Sequence, residues 1–444
     1  MNRLSLRSLA TLVIGAACTA WTAAGAPVTC RMELDRGILP ADGPQKAVIK
    51  ISLDAAKPPT RERPAVNLAL VLDRSGSMRG EKLRKAQEAA IEALRRLGPQ
   101  DLASVVIYNN EVETLVPAQS VRNLEEIERR IRSIRASGNT ALYSGVSQAA
   151  AEIRKNLERE CVNRILLLSD GQANVGPSTP DDLARLGISL RKEQIAVTTV
   201  GVGTDYNEDL MTRLARESDG NTYFVESSAD LPRIFAAEIG DVLNVVAKDV
   251  TIAIEFPDGV RPLRIIGRDG RMRNDSVEIN LSQLYGGQEK FALVEIEIPA
   301  GSDGHRRPVA TATVRYENAA TQKRGETRET ASVSFSRRTE EVTHSSNAGV
   351  QRDIVVNVSA AASAEAISLN DQGRAKDAAV MLRGKASELR GAASKYKAPE
   401  LKERADKLEA AAMQMESGAA MPSATRKALR ADEYQTINQQ QATH

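Results

Sequence analysis

The chain is 444 residues long, enough for two to four domains with ample core. Lys and Arg total 60 against 58 for Asp and Glu, and aromatic residues make up only 3%. That balance excludes a basic field for nucleic acid or an anionic membrane surface, and it leaves no base-stacking platform, so a protein partner is the expectation.

Residues 1–26 place Arg3 and Arg7 ahead of an apolar run from Leu9 to Trp21 that ends in the small-residue stretch TAAGA. This is the plan of a secretory signal peptide cleaved somewhere from Ala23 to Ala26, and it predicts export to the periplasm or the exterior. Cys18 in IGAAC is a weaker, lipoprotein-like signal, because Gly15 stands where such a site usually has Leu. No other apolar run approaches the roughly 20 residues that cross a bilayer, so the mature chain is expected to be soluble. Cleavage leaves Cys30 and Cys161. A disulfide and two separate buried thiols both fit an exported chain of this kind.

Within residues 27–60, VTCRMELD and KAVIKISLD alternate in twos and read as antiparallel strands on either side of a loop with Pro40 and Gly43. Two strands alone are marginal in water, so these need partners elsewhere. KPPTRERP, residues 57–64, is a linker. Apolar strands and helices then alternate through residues 65–247, with strands at 102–108, 164–169, 195–202 and 222–225 and helices at 124–134, 141–157, 180–192, 208–217 and 231–246. Such alternation predicts an α/β fold, a doubly wound parallel sheet covered on both faces.

Helical periodicity stops near Asp249. Across residues 248–340, segments 250–256, 276–281, 291–298, 309–316 and 330–335 alternate in twos between Gly, Pro, Asp and Asn turns, which predicts a β-sandwich. The strands of 27–60 are expected to complete it, making the α/β unit an insertion. Residues 350–417 are Ala-rich and read as three helices of about twenty residues, broken at 370–373 and at Ala398-Pro399, in a plain helical hairpin segment. The tail 418–444, rich in Gln, Ser and Thr, reads as frayed or disordered.

The chemistry lies in the α/β unit. Val66 to Asp73 is an apolar run that reads as a buried parallel strand, and beyond its end Asp73, Ser75 and Ser77 alternate along a loop. SGNT at 137–140 opens a later helix, and the strand RILLLS at 164–169 ends at Asp170-Gly171. Ligands of open parallel sheets sit beyond the carboxyl ends of the strands, where the strand order reverses. If the strands ending at Asp73 and Asp170 flank that reversal, Asp73, Ser75, Ser77, Thr140 and Asp170 face one point. Carboxylates and hydroxyls without His or Cys suit Mg²⁺, Mn²⁺ or Ca²⁺ and are wrong for zinc. Two negative charges neutralise a divalent ion without quenching its attraction for an anionic oxygen from outside.

DRSGS at 73–77, Thr140 in SGNTALYSG and Asp170 in LLLSDG resemble the metal-ion-dependent adhesion site of the von Willebrand factor A (VWA) family, with all five positions present over roughly residues 66–246. The resemblance implies Mg²⁺ at these five residues and a partner protein whose Asp or Glu completes the shell. Joined to the leader, it implies an exported adhesion or scaffold protein rather than an enzyme. Exported VWA proteins similar to the inter-alpha-trypsin inhibitor heavy chains and the calcium-activated chloride channel regulators also join VWA and β modules. An enzyme using the metal for hydrolysis or phosphoryl transfer needs a base or nucleophile beside it. His305, His344 and His444 all lie outside 65–247, and no HExxH, P-loop or GxSxG pattern occurs. An accessory subunit of a channel or envelope complex is a third reading, drawn from the family alone.

Overall fold

The computed structural model describes residues 27–57, 63–415 and 418–440. The leader, its cleavage region and Cys18, and residues 58–62 of the linker, lie outside the described residues. Three strands open the described chain: β1 (Val28–Leu34), β2 (Ile38–Pro40) and β3 (Gln45–Ala55).

The α/β unit runs β4 (Ala65–Asp73), α1 (Glu81–Arg95), β5 (Leu102–Tyr108), β6 (Val112–Ser120), α2 (Leu124–Arg132) and α3 (Leu142–Arg154). It continues with β7 (Cys161–Ser169), α4 (Pro180–Lys192), β8 (Ile195–Val202), α5 (Glu208–Glu217), β9 (Thr222–Val225) and α6 (Leu231–Val242). The sheet order is β6-β5-β4-β7-β8-β9, parallel except for the edge strand β6. From β4 the chain winds outward to β6 on one side and, from β7, to β9 on the other, so the order reverses at β4 and the crevice opens beyond Asp73. β4 reads as an unbroken apolar run because helices cover both its faces. Leu68, Leu70 and Leu72 pack toward α1 and α6, while Ala69 and Val71 pack toward α3 and α5.

Within the α/β unit, two details depart from the sequence reading. β6 falls where the sequence predicts no element: Pro117 and alternating polar residues mark it as an edge strand, whose weak pattern is easily read as loop. β7 begins at Cys161 rather than Arg164, because the Arg164 charge is paired inside the fold instead of marking a strand end.

The β region comprises β10 (Val245–Glu255), β11 (Arg261–Ile266), β12 (Arg271–Met272), β13 (Ser276–Tyr285), β14 (Glu289–Ile298), β15 (Arg306–Asn318) and β16 (Arg324–Ser336). Its sheets, β1-β3-β14-β11 and β12-β13-β10-β15-β16-β2, both recruit strands from before the α/β unit. β3 pairs antiparallel with β14, placing Ile51 opposite Ala292, and β2 pairs parallel with β16, placing Leu39 opposite Phe335. Ile49, Ile51 and Leu53 from one sheet meet Ile252, Val314 and Phe335 from the other in one core. β10 takes Val245 and Val246, within the helix expected over 231–246: Val245 packs with the core of the α/β unit and Val246 with the sandwich core. Cys30 and Cys161 are separate buried thiols, and burial pushes the Cys30 thiol up to about 11.

After α7 (Thr339–His344) come α8 (Ala348–Asp371), α9 (Ala375–Tyr396), α10 (Pro399–Gln414) and α11 (Ser423–Ile437). α8 lays Ile354 and Val358 on Ile266, Phe291 and Leu293, and the four helices share an Ala- and Leu-rich core. The tail is therefore not frayed over its described part. α11 returns to the α/β unit, where the Tyr434 hydroxyl donates to the Gly220 carbonyl at 2.6 Å and Lys427 donates to Glu208 at 2.5 Å. Its polar composition conceals a docking face, since its Arg and Lys residues meet the acidic first turn of α5 instead of water. Among the described residues, no helix is long and apolar enough to cross a membrane.

Candidate metal centre

The loops after β4, β5 and β7 and the loop between α2 and α3 are stitched together by backbone and amide contacts. The Gly76 N–H donates to the Gly138 carbonyl at 2.9 Å, and the Ser137 N–H donates to the Arg74 carbonyl at 2.8 Å. Gly138 has φ +76°, and a Cβ there would lie 2.1 Å from Asn110 Oδ1, so only glycine fits this crossing. Asn109 Nδ2 donates to the Ser137 carbonyl at 2.9 Å, and the Asn139 N–H donates to Asn110 Oδ1 at 2.7 Å. Thr140 and Asn174 exchange bonds: the Thr140 N–H donates to Asn174 Oδ1 at 2.9 Å, and the Asn174 N–H donates to the Thr140 carbonyl at 3.1 Å. Each loop that carries a candidate ligand is thus held by its neighbours.

Asp73 sits fully buried at the floor. Its Oδ1 accepts the Ser75 N–H at 2.8 Å, and its Oδ2 accepts the Ser169 hydroxyl at 2.8 Å and the Tyr108 hydroxyl at 3.4 Å. Above it, Ser75 Oγ and Ser77 Oγ are 3.0 Å apart, and Ser77 donates to Asp170 Oδ1 at 2.7 Å. A Cβ placed on Gly171 would lie 3.2 Å from Thr140 Oγ1, 3.4 Å from Ser77 Oγ and 4.0 Å from Ser75 Oγ. The three hydroxyls therefore surround one point beside Gly171, with a carboxylate oxygen of Asp170 at its edge. Asp73 reaches it from beneath through the Ser75 turn. Ser77 is exposed at the mouth while Ser75, Thr140 and both aspartates are buried. This oxygen-only cradle, with two carboxylates and three neutral hydroxyls, fits a hard divalent cation. Among the described residues, no group of three or more His, Cys, Asp or Glu could hold a metal ion elsewhere.

The motif reading missed the residues that brace this cradle, namely Tyr108, Asn109, Asn110, Ser169 and Asn174. It also missed Lys82, whose ammonium donates to Asp170 Oδ2 at 2.6 Å. SDG and YNN carry a local hint of loop-forming amides, but only the fold says which loop each one meets.

Burial, with a contribution from the Asp170 charge, pushes the Asp73 carboxyl up to about 6, against hydrogen bonds from Ser75 and Ser169 that pull the other way. A carboxyl whose pKa is raised on folding favours the folded state below its unfolded value, and that contribution is lost as pH rises through the folded value. In EDTA, wild type is therefore expected to lose up to roughly 3 kcal/mol between about pH 4 and pH 6.5 relative to Asp73→Asn. Urea unfolding across that range reads the difference, and parallel profiles for the two proteins would refute it.

Residues 67–237 match the family of the von Willebrand factor type A domain, and all five candidate ligands lie inside the match. This part of the chain is a VWA domain. Proteins of this family bind other proteins, with a divalent cation at the adhesion site. The chain is 31% identical over 243 residues to YfbK of Escherichia coli, covering 53% of this chain and 42% of that protein. It is 26% identical to sll0103 of Synechocystis, covering 61% and 66%, and 25% identical to inter-alpha-trypsin inhibitor heavy chain H4 of Bos taurus, covering 50% and 26%. The chain thus spans less than two thirds of the length of these relatives.

Solved structures that share the fold over most of the chain include the following two. A von Willebrand factor type A protein from Catenulispora acidiphila superposes with a TM-score of 0.65 at 16% identity, covering 88% of this chain and 97% of that one. The ArnB paralog VWA2 from Sulfolobus acidocaldarius gives 0.60 at 19% identity, covering 93% and 99%. At these identities the likeness is one of fold. It extends past the VWA domain to the β and helical regions.

Proposed function

We propose that this chain is an exported, metal-dependent protein-binding protein of the adhesion or scaffold kind, which captures an Asp or Glu of a partner at a divalent cation held by Asp73, Ser75, Ser77, Thr140 and Asp170. The observation that carries the reading is the convergence of three neutral hydroxyls beside Gly171, at the carboxyl end of the central strand, over only two aspartates. A bound divalent ion supplies a positive charge that an incoming carboxylate can ligate. Ser75, Ser77 and Thr140 orient lone pairs toward it without cancelling that charge, and Asp73, braced by Ser169 and Tyr108, anchors the turn that aims the two serines. Mg²⁺ is the expected ion, with Mn²⁺ or Ca²⁺ also compatible with oxygen donors. The leader-like residues 1–26 support a periplasmic or extracellular site of action, where such a partner would be met.

Thr140→Asp separates ion binding from partner binding. It adds a third negative charge to the cradle, so the variant is expected to stay folded and to hold Mg²⁺ at least as tightly, yet to repel a carboxylate. Calorimetric Mg²⁺ titration is paired with affinity capture from envelope extract in Mg²⁺ or in EDTA. Wild type should capture a partner in Mg²⁺ and release it in EDTA, and Thr140→Asp should capture none. Undiminished capture by the variant, or by wild type in EDTA, would move the contact away from the cradle.

A further inference from the structure

Lys82 is the one feature of the cradle that neither the ligand pattern nor the bracing network explains. It stands in the first turn of α1, where the exposed N–H groups already present partial positive charge and a cation is locally unfavourable. Its ammonium nevertheless lies 2.6 Å from Oδ2 of the fully buried Asp170, whose other oxygen accepts from Ser77, and the side chain is 31% exposed at the cradle's mouth. Gly203, in the loop after β8, borders the ammonium: a Cβ there would come within 3.7 Å of Nζ. One of the two carboxylates in the donor set is therefore already engaged by a positive charge of the chain itself.

The consequence is a matter of summed charge. Asp73, Asp170 and Lys82 together carry one net negative charge instead of two. A divalent cation among them leaves a net positive charge of one, where two aspartates alone would leave zero. We propose that Lys82 sets the charge of this centre, weakening its hold on the divalent cation and strengthening the pull of the loaded centre on a carboxylate ligand. This rests on the metal-binding reading above and adds what that reading lacks, a residue that trades one affinity for the other. It implies a centre that loads only where the divalent ion is plentiful and then favours acidic ligands over neutral ones. A residue that merely held Asp170 in place would support both affinities, and its loss would weaken both.

Lys82→Met removes the charge and keeps most of the stem, and Lys82→Gln provides a second neutral variant. Mn²⁺ binding is read by the loss of the free-ion electron paramagnetic resonance signal. Acetate serves as the carboxylate probe, its methyl-proton relaxation reporting approach to protein-bound Mn²⁺. Both variants are expected to bind Mn²⁺ about tenfold more tightly and acetate about tenfold more weakly, as removal of one unit charge from a partly exposed site implies, while Lys82→Arg should stay near wild type. If either neutral variant, folded by circular dichroism, loses both affinities or changes neither, Lys82 has no such role although the metal centre stands. If wild type binds no Mn²⁺ that Asp73→Ala abolishes, the metal centre and this proposal fall together.

Discussion

Glu238→Gln is expected to lower the unfolding free energy by about 3–5 kcal/mol, the range for stripping one partner from a buried ion pair. Arg164 and Glu238 are both fully buried, 3.4 Å apart, between β7 and α6 of the VWA domain. The Arg164 guanidinium also donates to Thr198 at 3.1 Å and, across to β13 of the sandwich, to Gln283 at 2.7 Å and the Tyr285 hydroxyl at 3.0 Å. Glu238 accepts from Thr198 at 2.6 Å, Asn221 at 2.8 Å and the Tyr223 hydroxyl at 3.0 Å. The glutamine variant keeps the volume and much of the hydrogen bonding but strips the guanidinium of its directly paired carboxylate, leaving the more distant Asp241 as its counter-charge in the interior.

Arg164→Met on the same background removes that stranded charge. The double variant is therefore expected to be more stable than Glu238→Gln alone, a coupling that a double-mutant cycle in urea measures. Strict additivity would show that Arg164 and Glu238 do not act as a charge pair across β7 and α6.

Asp73→Ala is expected to abolish stabilisation by Mg²⁺. At a hundred times its dissociation constant the ion would stabilise wild type by about 2.7 kcal/mol through mass action. For a domain of this size that is a melting shift of about 5–11 °C. Asp73 is at once a charge of the centre and the acceptor that shapes the Ser75 turn, so its loss removes charge and geometry together. Differential scanning calorimetry with Mg²⁺ and with EDTA reads the shift in both proteins. An equal Mg²⁺-dependent shift in the mutant would place the ion elsewhere.

The five oxygen side chains stand out in the sequence because four lie at or just beyond the ends of strongly patterned strands and Thr140 stands just before a patterned helix. An eight-residue apolar run can only be a buried strand or a short buried helix, and the polar residues behind it must lie at the strand's end. The bracing residues Tyr108, Asn109, Asn110 and Ser169 also sit at strand ends, but nothing local says which loop each one meets. Ser169 is the last residue of its strand and looks like a boundary, yet it is the donor to Asp73 from a chain segment 96 residues away. Lys82 reads as one more charge on an amphipathic helix until Asp170 is placed beside it.

By itself the sequence determined the strongly patterned helices and strands, because hydrophobic periodicity is a local property of a few successive residues, but not the polar edge strand β6 or the polar helix α11, whose patterns are weak. It determined the parallel, two-faced character of the central sheet for the same reason. Only the tertiary structure decided where isolated polar groups go: Arg164 to Glu238, Lys82 to Asp170, and the basic face of α11 to the acidic start of α5. An isolated charge carries no period, and a polar residue that will be paired in the interior is written in the same letters as one bound for water. Topology brings the two partners together across many intervening residues, and the burial that makes the pairing necessary exists only once the layers have packed.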